Sequence, residues 1–121
     1  MKYFLDSYAI IEITRGNNKV KKYMDEETIT FINNLAEMYY SIIKNNKSKE
    51  VADYFFSLFS NILIGIPLDL ISKAMLFRYS NRKNKFSYTD CIGYVYAREN
   101  SCKFVTGDKQ FKGMPNVEFI N

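Results

Sequence analysis

The sequence predicts an α/β fold, a three-layer α/β/α sandwich around a mainly parallel central sheet, and three observations support this. Short apolar runs recur at Tyr3 to Leu5, Thr28 to Ile32, Ile62 to Ile66, Lys103 to Thr106 and Val117 to Ile120. Between the first four, apolar residues recur at helical spacing. Helices between successive strands imply right-handed crossovers and parallel strands covered on both faces. Third, at 121 residues and 47% hydrophobic the chain supports one core and is too short for two, so residues 1–121 are expected to form a single domain.

Taken in order, Tyr3 to Leu5 is a strand that ends at Asp6 and Ser7. Tyr8, Ile10, Ile11 and Ile13 then make a helix that stops at Gly16. Asn17 or Asn18 caps a short basic helix through Lys19, Lys21, Lys22 and Met24, with its charges in solvent. Thr28 to Ile32, rich in β-branched residues, reads as the second strand, and Asn33 or Asn34 caps the next helix. In that helix Leu35, Met38, Tyr39, Ile42 and Ile43 form the apolar stripe. Glu37 lies roughly 200° round from Leu35, pointing to bulk water or a wet cleft.

Asn46-Lys47-Ser48 reads as a turn, followed by a helix from Lys49 to Phe59 that makes a helical hairpin with its predecessor. The uninterrupted apolar run Ile62 to Ile66 reads as a third, buried strand ended by Pro67, with a long helix from about Asp69 to Arg82 after it. Ser87 and Asp90 have the spacing of a capping box, and Cys91, Ile92, Val95 and Tyr96 follow at helical intervals. Gly93 and Ala97 keep one face of this helix low enough for close approach. Lys103 to Thr106 is a strand, Gly107-Asp108 turns the chain, and Val117 to Ile120 adds a last strand.

Composition narrows the chemistry. The chain has no histidine, which excludes His-dependent triads and His-ligated metals. Its two cysteines, Cys91 and Cys102, lack metal-ligand spacing and read as buried thiols of a reducing compartment. A net charge of +4 is too mild to name a partner by itself. No apolar run reaches the roughly 20 residues of a spanning helix, and the amino terminus has no signal-peptide core, so a cytoplasmic protein with no membrane contact is expected.

Four carboxylates stand out by position: Asp6 after the first strand, Glu37 early in the helix after the second, Asp90 in the first turn of its helix and Asp108 just past a strand. A parallel sheet brings such positions to one edge, where open α/β sheets take their ligands. Crowded carboxylates need protons or a hard cation, and an all-oxygen set fits Mg2+ or Mn2+. Taken singly, a helix cap explains Asp90 and a turn explains Asp108.

The segments FLDS, LAEMYY, YTDCIGYVYAREN and FVTGDKQF, in this order and spacing, resemble the PIN-domain family, and the short form is similar to its VapC-type toxin ribonucleases. The resemblance implies an endoribonuclease whose acidic quartet is Asp6, Glu37, Asp90 and Asp108, with Ser7 and Thr106 as supporting hydroxyls. Asp6, Asp90 and Asp108 would hold Mg2+ or Mn2+, and Glu37 would complete the site or orient the attacking water. Lys109, Lys112 and the Arg78 to Lys85 group, Arg82 among them, would contact RNA phosphates. A cognate antitoxin and a homodimer are the implied protein partners. The rival expectation is a catalytically inactive PIN-like module that binds a protein through Tyr39, Tyr40, Phe55, Phe56 and Phe59.

Overall fold

A computed structural model describes residues 2–45 and 48–120. Its elements in order are β1 (Lys2–Leu5), α1 (Ser7–Thr14), α2 (Asn18–Lys21), a 3-10 turn (Lys22–Asp25), β2 (Glu27–Ile29), α3 (Ile32–Lys44), α4 (Lys49–Ser60), α5 (Leu68–Ser80), α6 (Tyr88–Glu99), β3 (Cys102–Thr106), a second 3-10 turn (Lys109–Phe111) and β4 (Val117–Phe119). The strands pair in the order β2-β1-β3-β4, all parallel. Phe4 of β1 sits opposite Ile29 on one side and Phe104 on the other.

Alternation along the strands divides the core into two layers. Phe4 and Phe104 face one way, into a cluster closed by Leu70 and Ala74 of α5 and by Cys91, Ile92, Tyr94 and Val95 of α6. Leu5 and Val105 face the other way, against Ala9, Ile10 and Ile13 of α1 and Leu35, Met38 and Ile42 of α3. Both cysteines are free and buried, and burial pushes the Cys91 thiol up to about 11, which leaves it unreactive at neutral pH.

Several local expectations hold for the reasons given. Asn17 caps α2 by accepting from the Lys19 N–H, and Gly16 takes the left-handed conformation (φ +80°) that ends α1. Ser87 and Asp90 form both bonds of a capping box. The expected turn at Asn46-Lys47 lies outside the described residues, while Ser48 caps α4 by accepting from the Val51 N–H at 3.2 Å.

Three expectations are corrected. Ile62 to Ile66 is not a strand: it makes one parallel bridge, Leu63 to Thr30, and leaves the sheet half-buried. Gly65 weakens extended pairing and Pro67 has no N–H to give, so the apolar run stops at a single rung and the sheet has four strands. β2 ends at Ile29, and α3 starts from Phe31 with no side-chain cap, so neither Asn33 nor Asn34 caps it. In α3, Leu35, Met38 and Ile42 are buried, but Tyr39 is half-buried and Ile43 is exposed.

The low face of α6 admits the sheet itself. A Cβ on Gly93 would stand 2.7 Å from Phe4 Cε1 and 3.2 Å from Phe104 Cε1. Neither ring is free to move, since Phe4 is wholly buried and packs on Phe31 (5.1 Å) and Phe104 (5.9 Å). Overpacking costs about 1–3 kcal/mol, against about 1 kcal/mol gained from alanine's helix propensity. Gly93→Ala is therefore expected to lower the urea midpoint, by a net cost of up to about 2 kcal/mol; an unchanged midpoint would mean that the rings yield.

Candidate active site

The site grows from the carboxyl ends of β1 and β3. Asp6 follows β1 directly; its N–H donates to the Val105 carbonyl (3.2 Å), which ties its backbone to the neighbouring strand. Its Oδ1 accepts from the Ala9 N–H (2.8 Å) as the N-cap of α1. Thr30 braces the same rim, donating its hydroxyl to the Leu5 carbonyl at 2.8 Å. Asp6 is thus a carboxylate only 3% exposed, held at the end of a central strand.

Asp90 arrives from the start of α6. Its Oδ2 accepts from the Ser87 N–H (2.9 Å) and its own N–H donates to Ser87 Oγ (3.0 Å). Asp108 lies two residues past β3, with its N–H on Thr106 Oγ1 (3.1 Å) and its Oδ1 accepting from the Gln110 N–H (3.0 Å). Each aspartate therefore gives an oxygen to a cap or turn of its own segment. Glu37, exposed on α3, accepts the Ser7 hydroxyl at Oε1. This bond joins two predicted site residues 30 positions apart.

The four acids feel one another. Burial, first of all, pushes the Asp6 carboxyl up to about 7; a bond from the Thr106 side chain and the one from the Ala9 N–H oppose this, and the charges of Asp90 and Asp108 add to it. Asp90 is pushed up by burial against its two bonds with Ser87, then by the charges of Asp108 and Glu37. None of the ion pairs among the described residues involves these four side chains. The crowding calls for a proton or a cation, and the donors are all hard oxygens, a set whose chemistry suits Mg2+ or Mn2+. As the side chains stand, no group of three or more among the described residues is drawn in closely enough to hold an ion.

The basic residues fall around this edge unevenly. Lys109 is exposed immediately after Asp108, and Lys112 is exposed with its ammonium 5.7 Å from the Phe119 ring. Arg82 is exposed beyond the end of α5, packed on Tyr79 at 4.3 Å. A cavity of about 720 Å3 lies elsewhere, at the far end of α1 between Ile13, Gly16, Lys21, Met24, Tyr54 and Leu58.

Sequence reasoning missed two features. Asn34, read as a cap, is 2% exposed one helical turn before Glu37, and its Oδ1 is the buried side-chain oxygen without a partner among the described residues. Tyr8 lies against Gly107, where a Cβ would fall 2.3 Å from its Cε1. A glycine between a strand and an acid was the available signal for that close approach.

The PIN domain sequence profile matches residues 3–117. No curated protein matches in sequence. Solved structures do match in fold. A toxin–antitoxin complex from Klebsiella pneumoniae aligns with a TM-score of 0.75 at 18% identity, covering 98% of each chain. The Mycobacterium tuberculosis toxin VapC20, which cleaves the sarcin-ricin loop, aligns at 0.76 and 14%, covering 96% of this chain and 98% of that one. VapBC2 from Rickettsia felis, bound to a DNA fragment from its promoter, aligns at 0.73 and 18%, over 98% and 97%.

Proposed function

The chain belongs to the PIN domain family, and from that premise we propose that residues 1–121 act as one domain, a Mg2+- or Mn2+-dependent endoribonuclease and the toxin of a VapBC-type pair. The reading rests on the shared field at the sheet edge, where Asp6 and Asp90 are each raised by burial and by neighbouring carboxylates with no cationic side chain paired to them.

In this reading Asp6, Asp90 and Asp108 hold the cation, directly or through water. When bound, it supplies acidity to a water and neutralises charge on the phosphate oxygens. Glu37, steadied through Oε1 by Ser7, keeps Oε2 to orient the attacking water. Thr106 and the Ala9 N–H hold the Asp6 carboxyl in place. Lys109, Lys112 and Arg82 contact phosphates along the strand. The toxin–antitoxin complexes and the RNA-cleaving toxin of the same fold support an RNA substrate and an antitoxin partner. A homodimer in the cytoplasm completes the proposal, and no helix among the described residues is long and apolar enough to cross a membrane.

One observation favours the second reading, a catalytically inactive PIN-like binding module. Tyr54 (63% exposed) and Leu58 (37%) border the large cavity away from the acids, a face suited to a protein partner. The test is thermal unfolding with and without Mn2+, followed by cleavage of structured RNA. Because a cation relieves repulsion present only in the folded state, saturating Mn2+ should raise the unfolding midpoint, with about 2.7 kcal/mol of stabilisation at 100 times the Kd. Cleavage should require the ion and stop with chelator. An unmoved midpoint removes the metal site; a raised midpoint with no cleavage favours the binding module.

A further inference from the structure

Gln110 and Phe111, in the turn after Asp108, hold Lys85 and Phe86, at the end of the loop that follows α5. The Lys85 N–H donates to Gln110 Oε1 (2.6 Å), and Gln110 Nε2 donates to the Lys85 carbonyl (3.2 Å). Next to this polar rung the Phe86 ring stacks on Phe111 at 4.6 Å, and both rings are buried. Gln110 is fixed in turn to the acid, since its N–H donates to Asp108 Oδ1 at 3.0 Å. One residue therefore bonds both to the backbone of the basic loop and to a carboxylate of the sheet edge.

Lys85 belongs to no helix or strand, so its N–H and carbonyl have no ladder to join. A carboxamide, with an acceptor and donors on one rigid plane, satisfies both. The tie also works against charge. Arg82, Lys83 and Lys85 put three exposed cations within four residues, and like charges extend a free loop. Arg82 packs on Tyr79, whereas Lys85 makes no ion pair or ring contact among the described residues. Its backbone is held on both sides and its ammonium is unpaired, which is the arrangement of a cation that takes an anion from outside the chain.

We propose that Gln110 is a positioning residue, which fixes Lys85 beside the Asp108 turn so that the lysine ammonium binds a phosphate of the RNA strand. The proposal rests on reading the acidic edge as a phosphodiester site, and it adds an uncharged residue that acts on binding through Lys85. Ordering the backbone in advance lowers the entropy lost when the lysine engages a phosphate. Lys109, between Asp108 and Gln110 in the chain, supplies a second exposed cation at the same turn.

The test is binding of a fluorescently labelled RNA hairpin by the full chain across a salt series, in chelator so that nothing is cut, with circular dichroism to confirm folding. Lys85→Met should weaken binding and lower the slope of log affinity against log salt by about 1, the signature of one lost phosphate contact. Gln110→Met, close in size but without the two bonds to Lys85, should weaken binding by at least about 2-fold, the lower end of the coupling between neighbours in contact. Added to Lys85→Met, it should cost nothing further. The same loss from Gln110→Met in both backgrounds would show that Gln110 acts on the fold and not through Lys85, and would overturn the proposal. So would full binding by either single variant. Binding in chelator is independent of cleavage: the expected pattern in a protein that cuts no RNA would keep the Gln110–Lys85 pair and remove the nuclease, cleavage with full binding by Gln110→Met would do the reverse, and a wild type that binds no RNA would overturn both.

Discussion

Asp6→Asn and Asp90→Asn are each expected to reduce Mn2+-dependent RNA cleavage at least about 100-fold, since losing even a partner that merely orients a metal ligand costs 10- to 100-fold. Both changes keep the shape and the structural bonds. An asparagine side-chain oxygen can still accept from the Ala9 N–H at position 6, or from the Ser87 N–H at position 90, so both helix starts survive. What goes is one negative charge at the sheet edge. If these residues served only as caps, the cost would be the dipole interaction alone, roughly 0.3–1 kcal/mol, and cleavage would continue. The measurement is cleavage of structured RNA by purified protein free of antitoxin, with circular dichroism to confirm folding. Equal cutting by the wild type and both variants would assign the activity to other residues or to a contaminant.

The second large effect is on stability, and its sign follows from Asp6. The unfolded carboxyl ionises near 3.8, whereas the folded one keeps its proton to about 7. Between these values the folded state binds more protons than the unfolded state, so Asp6 favours folding below pH 4 and that contribution is lost as pH rises to about 7. The loss accumulates to about 4 kcal/mol by pH 8. Asp90, also raised, acts in the same direction. In chelator, the stability of the wild type relative to Asp6→Asn should therefore fall between pH 5 and pH 7.5, and the variant should be the more stable protein at pH 8. Urea unfolding of the pair across that range provides the difference. Parallel curves would show that Asp6 is ionised in the fold at no cost, and the electrostatic argument for a cation would go with it.

The helices were legible because their causes are local. Asn17 caps α2, Gly16 releases α1, and Ser87 with Asp90 closes both capping bonds on α6, each set by neighbours within a few residues. The placement of Asp6 and Asp108 just past strand ends was legible for the same reason: an apolar run gives way to a polar residue, and the chain must turn there. Tertiary contact decided the rest. Ile62 to Ile66 has the composition of a buried strand, yet pairing depends on what a neighbour offers, and it finds one rung at Thr30. No local feature ordered the strands, so the placing of β3 beside β1 rests on packing Phe4 against Phe104 under Gly93.

The sequence alone determined which carboxylates and hydroxyls the chain can bring to the end of its sheet, because side-chain identity and strand ends are properties of short segments. Only the tertiary structure decided their state. Asp6 is driven toward its protonated form by burial and by charges from α6 and the turn after β3, Glu37 is held by a hydroxyl on another helix, and the basic loop is tied to Asp108 through Gln110. Desolvation and charge repulsion act through space between residues far apart in the chain, and they arise only once packing has closed those distances.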